Sequence, residues 1–315
     1  VELALGDADS GRARLAAARA DAHLAADWPV VVDALRSESR SGLPVERLPQ
    51  DELRTLLTET LEHLDPSDTE RRAHAISARF HLDSPFASRH SSDLAELDEL
   101  ARRDPAVGSI ARVCAYRHEV DHGIDPRSAI DTGSRLRDDQ RKVGDRTGAL
   151  IVELLCIAAK LRAGELVGDD ECAAAQRDAE ELGWNDAAYS AAAMSALHSI
   201  VSMPMQDAEL RVDVAASLGL ASGHPAAVIA GMFHMFAIRR EQGRSTEYLD
   251  VLNGATGRMR FIDALRAATL VDAGDTESAE TALVELVEAE PHPLPIVASP
   301  TRTASAPAIP SRDGR

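Results

Sequence analysis

The sequence predicts an all-α protein, a right-handed α-solenoid of tetratricopeptide-like helical hairpins, and three observations lead there. Strand patterns are nearly absent, while apolar residues recur at i, i+3, i+4 and i+7 in segment after segment. Hydrophobic residues make up 44% of the 315 residues but aromatics only 3%, with alanine and leucine dominant. That mixture favours helices over pleated sheets. Turn signals also recur: Gly123, Gly164, the "MPMQD" break around Met205, Gly243 and Gly274 are separated by 41, 41, 38 and 31 residues. A period near that of a tetratricopeptide repeat, with helix, turn and helix in each unit, is the signature of stacked hairpins. About seven hairpins fit the chain.

At the N-terminus, "GDADSGRA" (Gly6 to Ala13) imitates a phosphate-binding loop, with glycines five apart followed by a basic residue. The imitation fails chemically. Arg12 and Ala13 stand where lysine and a metal-holding hydroxyl are needed, and only "VELAL" precedes the stretch in place of a buried strand. Gly6 and Ala18, twelve apart, with Ala25 seven further on, read instead as small residues where two helices meet. "RLAAARADAHLA" is then the second helix of the first hairpin.

"RSESRSGLP" (Arg36 to Pro44) reads as irregular. "LRTLLTETLEHLDPSDTERRAHAISARFHL" reads as a helix, a turn over Pro66 to Asp68, and another helix. "SSDLAELDELARRD" and "CAAAQRDAEELG" are amphipathic second helices. In "VELLCIAAKLRAGEL" the stripe is Leu154, Ile157, Ala158 and Leu161, and Gly164 closes the helix. The last hairpin is the clearest. Phe261, Ala264, Leu265 and Ala268 form one stripe, Gly274 turns the chain, and Asp275 caps a helix striped by Ala279, Ala282, Leu283 and Leu286. Ala267 and Ala279, twelve apart, mark the closest approach of the two helices. Pro291 stops the second one. Residues 1–290 are therefore one repeat domain, and 291–315 is a Pro-rich tail holding 6 of the chain's 15 prolines, expected to be disordered.

"LRTLLTETLEHLDPSDTERRAHAISARF", "MFAIRREQGRSTEYLDVL" and "LRAATLVDAGDTESAETALVELV" resemble the tetratricopeptide-like region of large actinobacterial transcriptional regulators. The resemblance covers roughly residues 1 to 290, with "RREQGR" (Arg239 to Arg244) its most characteristic run. In that family an N-terminal nucleotide-binding module precedes the helical array, which often leads to a LuxR-type helix-turn-helix or is paired with a cyclase domain. This chain holds neither an ATPase module nor a helix-turn-helix, so the resemblance assigns ATP or DNA binding to no residue here. With Val1 as its first residue and a tail that leaves the repeat pattern abruptly, the sequence reads as a fragment of such a regulator.

The sharpest chemical pattern is "HEVDH", His118 to His122, which matches the zinc motif His-Glu-x-x-His. On a helix it would put His118 and His122 on one face, with Glu119 beside a metal-bound water. Against that stand the charges of Arg117 and Asp121, the helix-ending Gly123, and the lack of any glutamate between Glu119 and Glu153. The run reads as the solvated end of a repeat helix, with a zinc-dependent hydrolase as the alternative. Arg239, Arg240 and Arg244 read as cations at a negative helix end. Met203, Met205, Met232 and Met235 read as core filling, and the pairs Asp169-Asp170 and Glu180-Glu181 as solvated faces.

A formal charge of −18 repels nucleic acid and anionic membrane. No apolar run approaches the length of a membrane span, and no signal-peptide pattern opens the chain. Three scattered cysteines, Cys114, Cys156 and Cys172, suggest reduced thiols in a cytoplasm. The expectation is thus a non-enzymatic, cytoplasmic module without metal or cofactor. It would bind a protein partner or small effector in a concave groove, within a transcriptional regulator; a stand-alone scaffold is a further alternative.

Overall fold

The computed structural model describes residues 8–41, 50–82, 90–221, 227–254 and 260–288. These residues are all-α, and no strand occurs among them. In order, the helices are α1 (Ala8–Leu24), α2 (Trp28–Ser41), α3 (Gln50–His63), α4 (Thr69–Leu82), α5 (His90–Arg103), α6 (Gly108–Asp121), α7 (Pro126–Lys142) and α8 (Arg146–Ala163). There follow α9 (Asp169–Glu181), α10 (Asn185–Ser202), α11 (Met205–Ala221), α12 (Ala227–Glu241), α13 (Leu249–Gly254), α14 (Arg260–Asp272) and α15 (Thr276–Glu288). Short 3₁₀ turns lie at Pro105–Val107 and Ser245–Tyr248.

Local chemistry explains many of the helix boundaries. Asp125 caps α7 through the Ser128 amide, with Pro126 at the first helical position, where its missing N–H costs nothing. Asp145 caps α8 through the Gly148 amide, and Asp275 caps α15 through the Ser278 amide, as its place in the sequence predicts. The glycines read as turns, Gly123, Gly164, Gly243 and Gly274, all have positive φ, and so do Gly144 and Gly183. L side chains seldom adopt that backbone, which is why glycine punctuates the chain at these points.

Burial then follows a pattern that runs through the even-numbered helices. One core cluster joins Leu57, Ile76, Phe80 and Leu97 to Cys114 on α6. A second joins Val113, Tyr116 and Val120 on the flank of that same helix to Ala129 and Leu136 on α7 and to Val152, Cys156 and Ala159 on α8. A third joins Leu150 and Ile157, also on α8, to Cys172, Ala175 and Ala179 on α9 and to Ala187, Ala188 and Ala191 on α10. The fourth starts from Ala192, Ala196 and Ile200 on α10 and takes in Ala208, Val212 and Ala215 on α11, with Ile238 on α12. Helices α6, α8 and α10 therefore bury two faces each and couple one cluster to the next. Alanine at so many of these contacts lets the helices approach closely.

Every substantial contact among the described residues joins elements that are adjacent or next-but-one along the chain. Next-but-one contacts run α2 to α4, α4 to α6, α6 to α8, α8 to α10 and α10 to α12. The ends of α6 and α8 lie side by side: Arg162 near the end of α8 donates to the Val120 carbonyl near the end of α6, at 3.0 Å.

Several expectations need correction. Ala18 and Ala25 are exposed, so they are not a helix contact; α1 is a single helix from Ala8, and Ala22 is the alanine it buries. Gly6 lies outside the described residues. Arg36 to Ser41 is helical, not irregular, because α2 continues through it; Gly42 to Pro44 lie outside the described residues. In α14 the buried positions are Ile262, Ala267, Thr269 and Leu270, whereas Ala264 is exposed. Leu283 on α15 is 46% exposed. Contacts are also more extensive across the turns at Gly144 and Gly183 than across those at Gly123 and Gly164. The tail, 291–315, lies outside the described residues.

Candidate functional site

His118 lies in the last turn of α6, and His122 caps the helix just past its end. Their rings are tilted against each other with centroids 3.8 Å apart, and the His118 ring is 6.5 Å from that of Phe80. His122 Nδ1 is 2.8 Å from the His118 carbonyl, which turns the imidazole back onto its own helix end. Glu119 is exposed, and Arg117 pairs with Asp121 at 3.4 Å. A zinc site needs three or four ligands converging at about 2.0–2.3 Å. No group of three His, Cys, Asp or Glu able to hold a metal occurs among the described residues.

"RREQGR" ends α12 and turns through Gly243, and each of its arginines meets a carboxylate on a different element. Arg239 pairs with Glu209 on α11 through both guanidinium nitrogens and donates to Gln242 at 2.7 Å. Arg240 meets Asp272 on α14 at 3.1 Å, and Arg244 pairs with Glu247 at 2.7 and 2.9 Å. The Arg239 guanidinium, aided by Gln242, holds the Glu209 carboxyl below the usual range, and Arg244 does the same for Glu247. The run is a clamp across three helices. Helix-end charge alone identified the arginines but not Glu209, Asp272 or Glu247, which lie 30, 32 and 3 residues from their partners.

A similar pair ties α9 to α11. Asp169 takes hydrogen bonds of 2.7 and 2.8 Å from Arg211, whose guanidinium also reaches Ser195 Oγ. Arg211 thereby lowers the Asp169 pKa. Glu181 pairs with Arg146 at 2.6 Å, Glu180 accepts from Gln176, and Asp170 is exposed. Met205 and Met235 pack against the fourth core cluster and Met232 against another, while Met203 is half-buried. All three cysteines are free and buried, and burial pushes the Cys114 and Cys172 thiols up to about 11. At neutral pH they are protonated and poor nucleophiles.

Two clefts remain. One, of about 310 Å³, lies along α3 and is lined by Glu52, Thr55, Leu56 and Glu59, with His23 of α1 across from them. The residues on α3 are spaced i, i+3, i+4 and i+7, a single helix face. His23 Nε2 is 3.1 Å from Glu59 Oε2, and Trp28 packs edge-on to His23 and stacks on His63 at 4.8 Å. The other, of about 300 Å³, is lined by Arg141, Arg146, Ala149, Asp178 and Leu182. Sequence reasoning singled out neither cleft, since each joins helices whose pairing is a tertiary fact.

No protein family, curated protein or solved structure matches the chain significantly. No helix among the described residues is long and apolar enough to cross a membrane.

Proposed function

We propose that this chain is a non-enzymatic binding module, a right-handed α-solenoid of tetratricopeptide-like hairpins that presents its surface to a protein partner or small effector. One observation carries the reading: among the described residues, substantial contacts reach no further than the next-but-one α-helix. In a stack of that kind each hairpin supplies a neighbour's core, and the exposed surface is extended and suited to binding. The ion pairs that tie successive layers, Arg240 with Asp272 and Arg211 with Asp169, support the same reading.

The regulatory setting is proposed from the resemblance of "RREQGR" and its neighbouring runs to transcriptional regulators. In that setting the module works in the cytoplasm and passes its binding state to nucleotide- and DNA-binding domains. Affinity purification of the tagged chain from its own cell, followed by mass spectrometry, tests this. A stoichiometric partner carrying a phosphate loop or a helix-turn-helix is expected. A chain that purifies alone and cleaves a peptide or ester only with zinc bound would overturn the reading in favour of a hydrolase built on His118, His122 and Glu119.

A further inference from the structure

The cleft along α3 combines an apolar floor, Leu56, with two carboxylates on one helix face. Glu52 and Glu59 stand two turns apart, a rise of about 10.5 Å. Among the described residues Glu52 has no cationic partner, and Glu59 is met only by His23. Two acids over an apolar floor match a side chain that is aliphatic along its length and positive at its tip. The space, about 310 Å³, is shallow and open to solvent, so what it can take is a side chain laid along the helix face. Anions would be repelled, and among the described residues no three His, Cys, Asp or Glu side chains converge to hold a metal ion. The chain's formal charge of −18 also attracts basic partners at long range.

We infer that this cleft binds a basic peptide segment, with one lysine or arginine stem lying on Leu56 and its charge held by Glu52 and Glu59. The inference rests on the binding-module reading only in taking the ligand to be part of a protein.

The test titrates the full-length chain with acetyl-Ala-Lys-Ala-amide and with its uncharged norleucine counterpart. Trp184→Phe leaves Trp28, which touches His23, as the reporting fluorophore; calorimetry on the unsubstituted chain replaces it if that variant misfolds. A saturable change is expected with the lysine peptide and binding at least about fivefold weaker with norleucine. Glu52→Gln and Glu59→Gln should each weaken lysine binding by about three- to fivefold, the range of a partly exposed ion pair. Glu277→Gln combined with Glu280→Gln, exposed acids on α15, should change nothing. Equal affinity for both peptides, equal weakening by the α15 pair, or no saturable signal would each overturn the inference. A stoichiometric partner recovered from the cell beside such a failure would leave the module reading standing.

Discussion

Asp93 on α5 is 1% exposed, and its carboxylate accepts a 2.5 Å hydrogen bond from Arg79 Nη2 on α4. Among the described residues Asp93 Oδ2 and Arg79 Nε have no hydrogen-bond partner. A carboxylate this deep is tolerable only while its counter-charge is present. Arg79→Ala should therefore cost about 3–5 kcal/mol, whereas replacing both residues by apolar ones, Arg79→Met with Asp93→Leu, should recover most of the loss. Urea denaturation of the two variants checks this; an Arg79→Ala loss under about 1 kcal/mol would mean that water reaches Asp93.

Gly133 lies inside α7, where alanine is normally better by about 1 kcal/mol. Here a Cβ would run into the Tyr116 hydroxyl and the Cys156 sulfur. The Tyr116 hydroxyl is fixed by its 2.8 Å bond to the Ala129 carbonyl and cannot easily give way. Gly133→Ala should destabilise by about 1–3 kcal/mol. Gly108→Ala should stabilise by up to about 1 kcal/mol, because among the described residues nothing beyond its chain neighbours and its own helix backbone stands within 4 Å of a Cβ there and its φ is −59°. The opposite signs, read from thermal melts, separate close packing from helix propensity.

Burial pushes the His234 pKa down from 6.5 to about 4. Between those values the unfolded chain binds a proton that the folded chain refuses, so this histidine makes stability fall as pH drops from about 6.5 to about 4. The loss should be on the order of 1–3 kcal/mol, and His234→Leu should flatten that part of the profile. Stability measured by denaturation across the window, with no difference between the two proteins, would show that His234 is open to solvent.

His122 is exposed and His118 half-buried near Phe80. His122→Ala should therefore shift stability by no more than about 0.5 kcal/mol, while His118→Ala should cost more. Elemental analysis should find no zinc lost in the double variant; stoichiometric zinc that disappears with these residues would reverse the assignment.

The glycine turns and the Asp275 cap were legible because they obey rules local to one or two turns of chain, and the buried pair Ala267 and Ala279 because both flank the short Gly274 turn. The first hairpin misled because alanine is frequent throughout α1, so a twelve-residue spacing from Gly6 to Ala18 carries little information there. In α14 the stripe through Ala264 failed because alanine serves equally on either face, and the partner helix selects Ala267 and Leu270. The arginine clamp and the α3 cleft were invisible for a different reason. Glu209 lies 30 residues from Arg239 and Glu59 lies 36 from His23, distances over which sequence spacing fixes no geometry.

Ala267 and Ala279 share the core of the last hairpin at 1% and 2% exposure, and among the described residues that hairpin has neighbouring layers on one side only. Ala279→Leu adds three carbons to that contact and should cost about 1–3 kcal/mol. In a stack whose units touch only near neighbours, the damage should stay local. Amide hydrogen exchange on Ala279→Leu tests this most directly: exchange should speed up over 262–288 while 150–182 keeps its protection. Acceleration spread evenly along the chain would contradict the repeat architecture and point to one cooperative globular core.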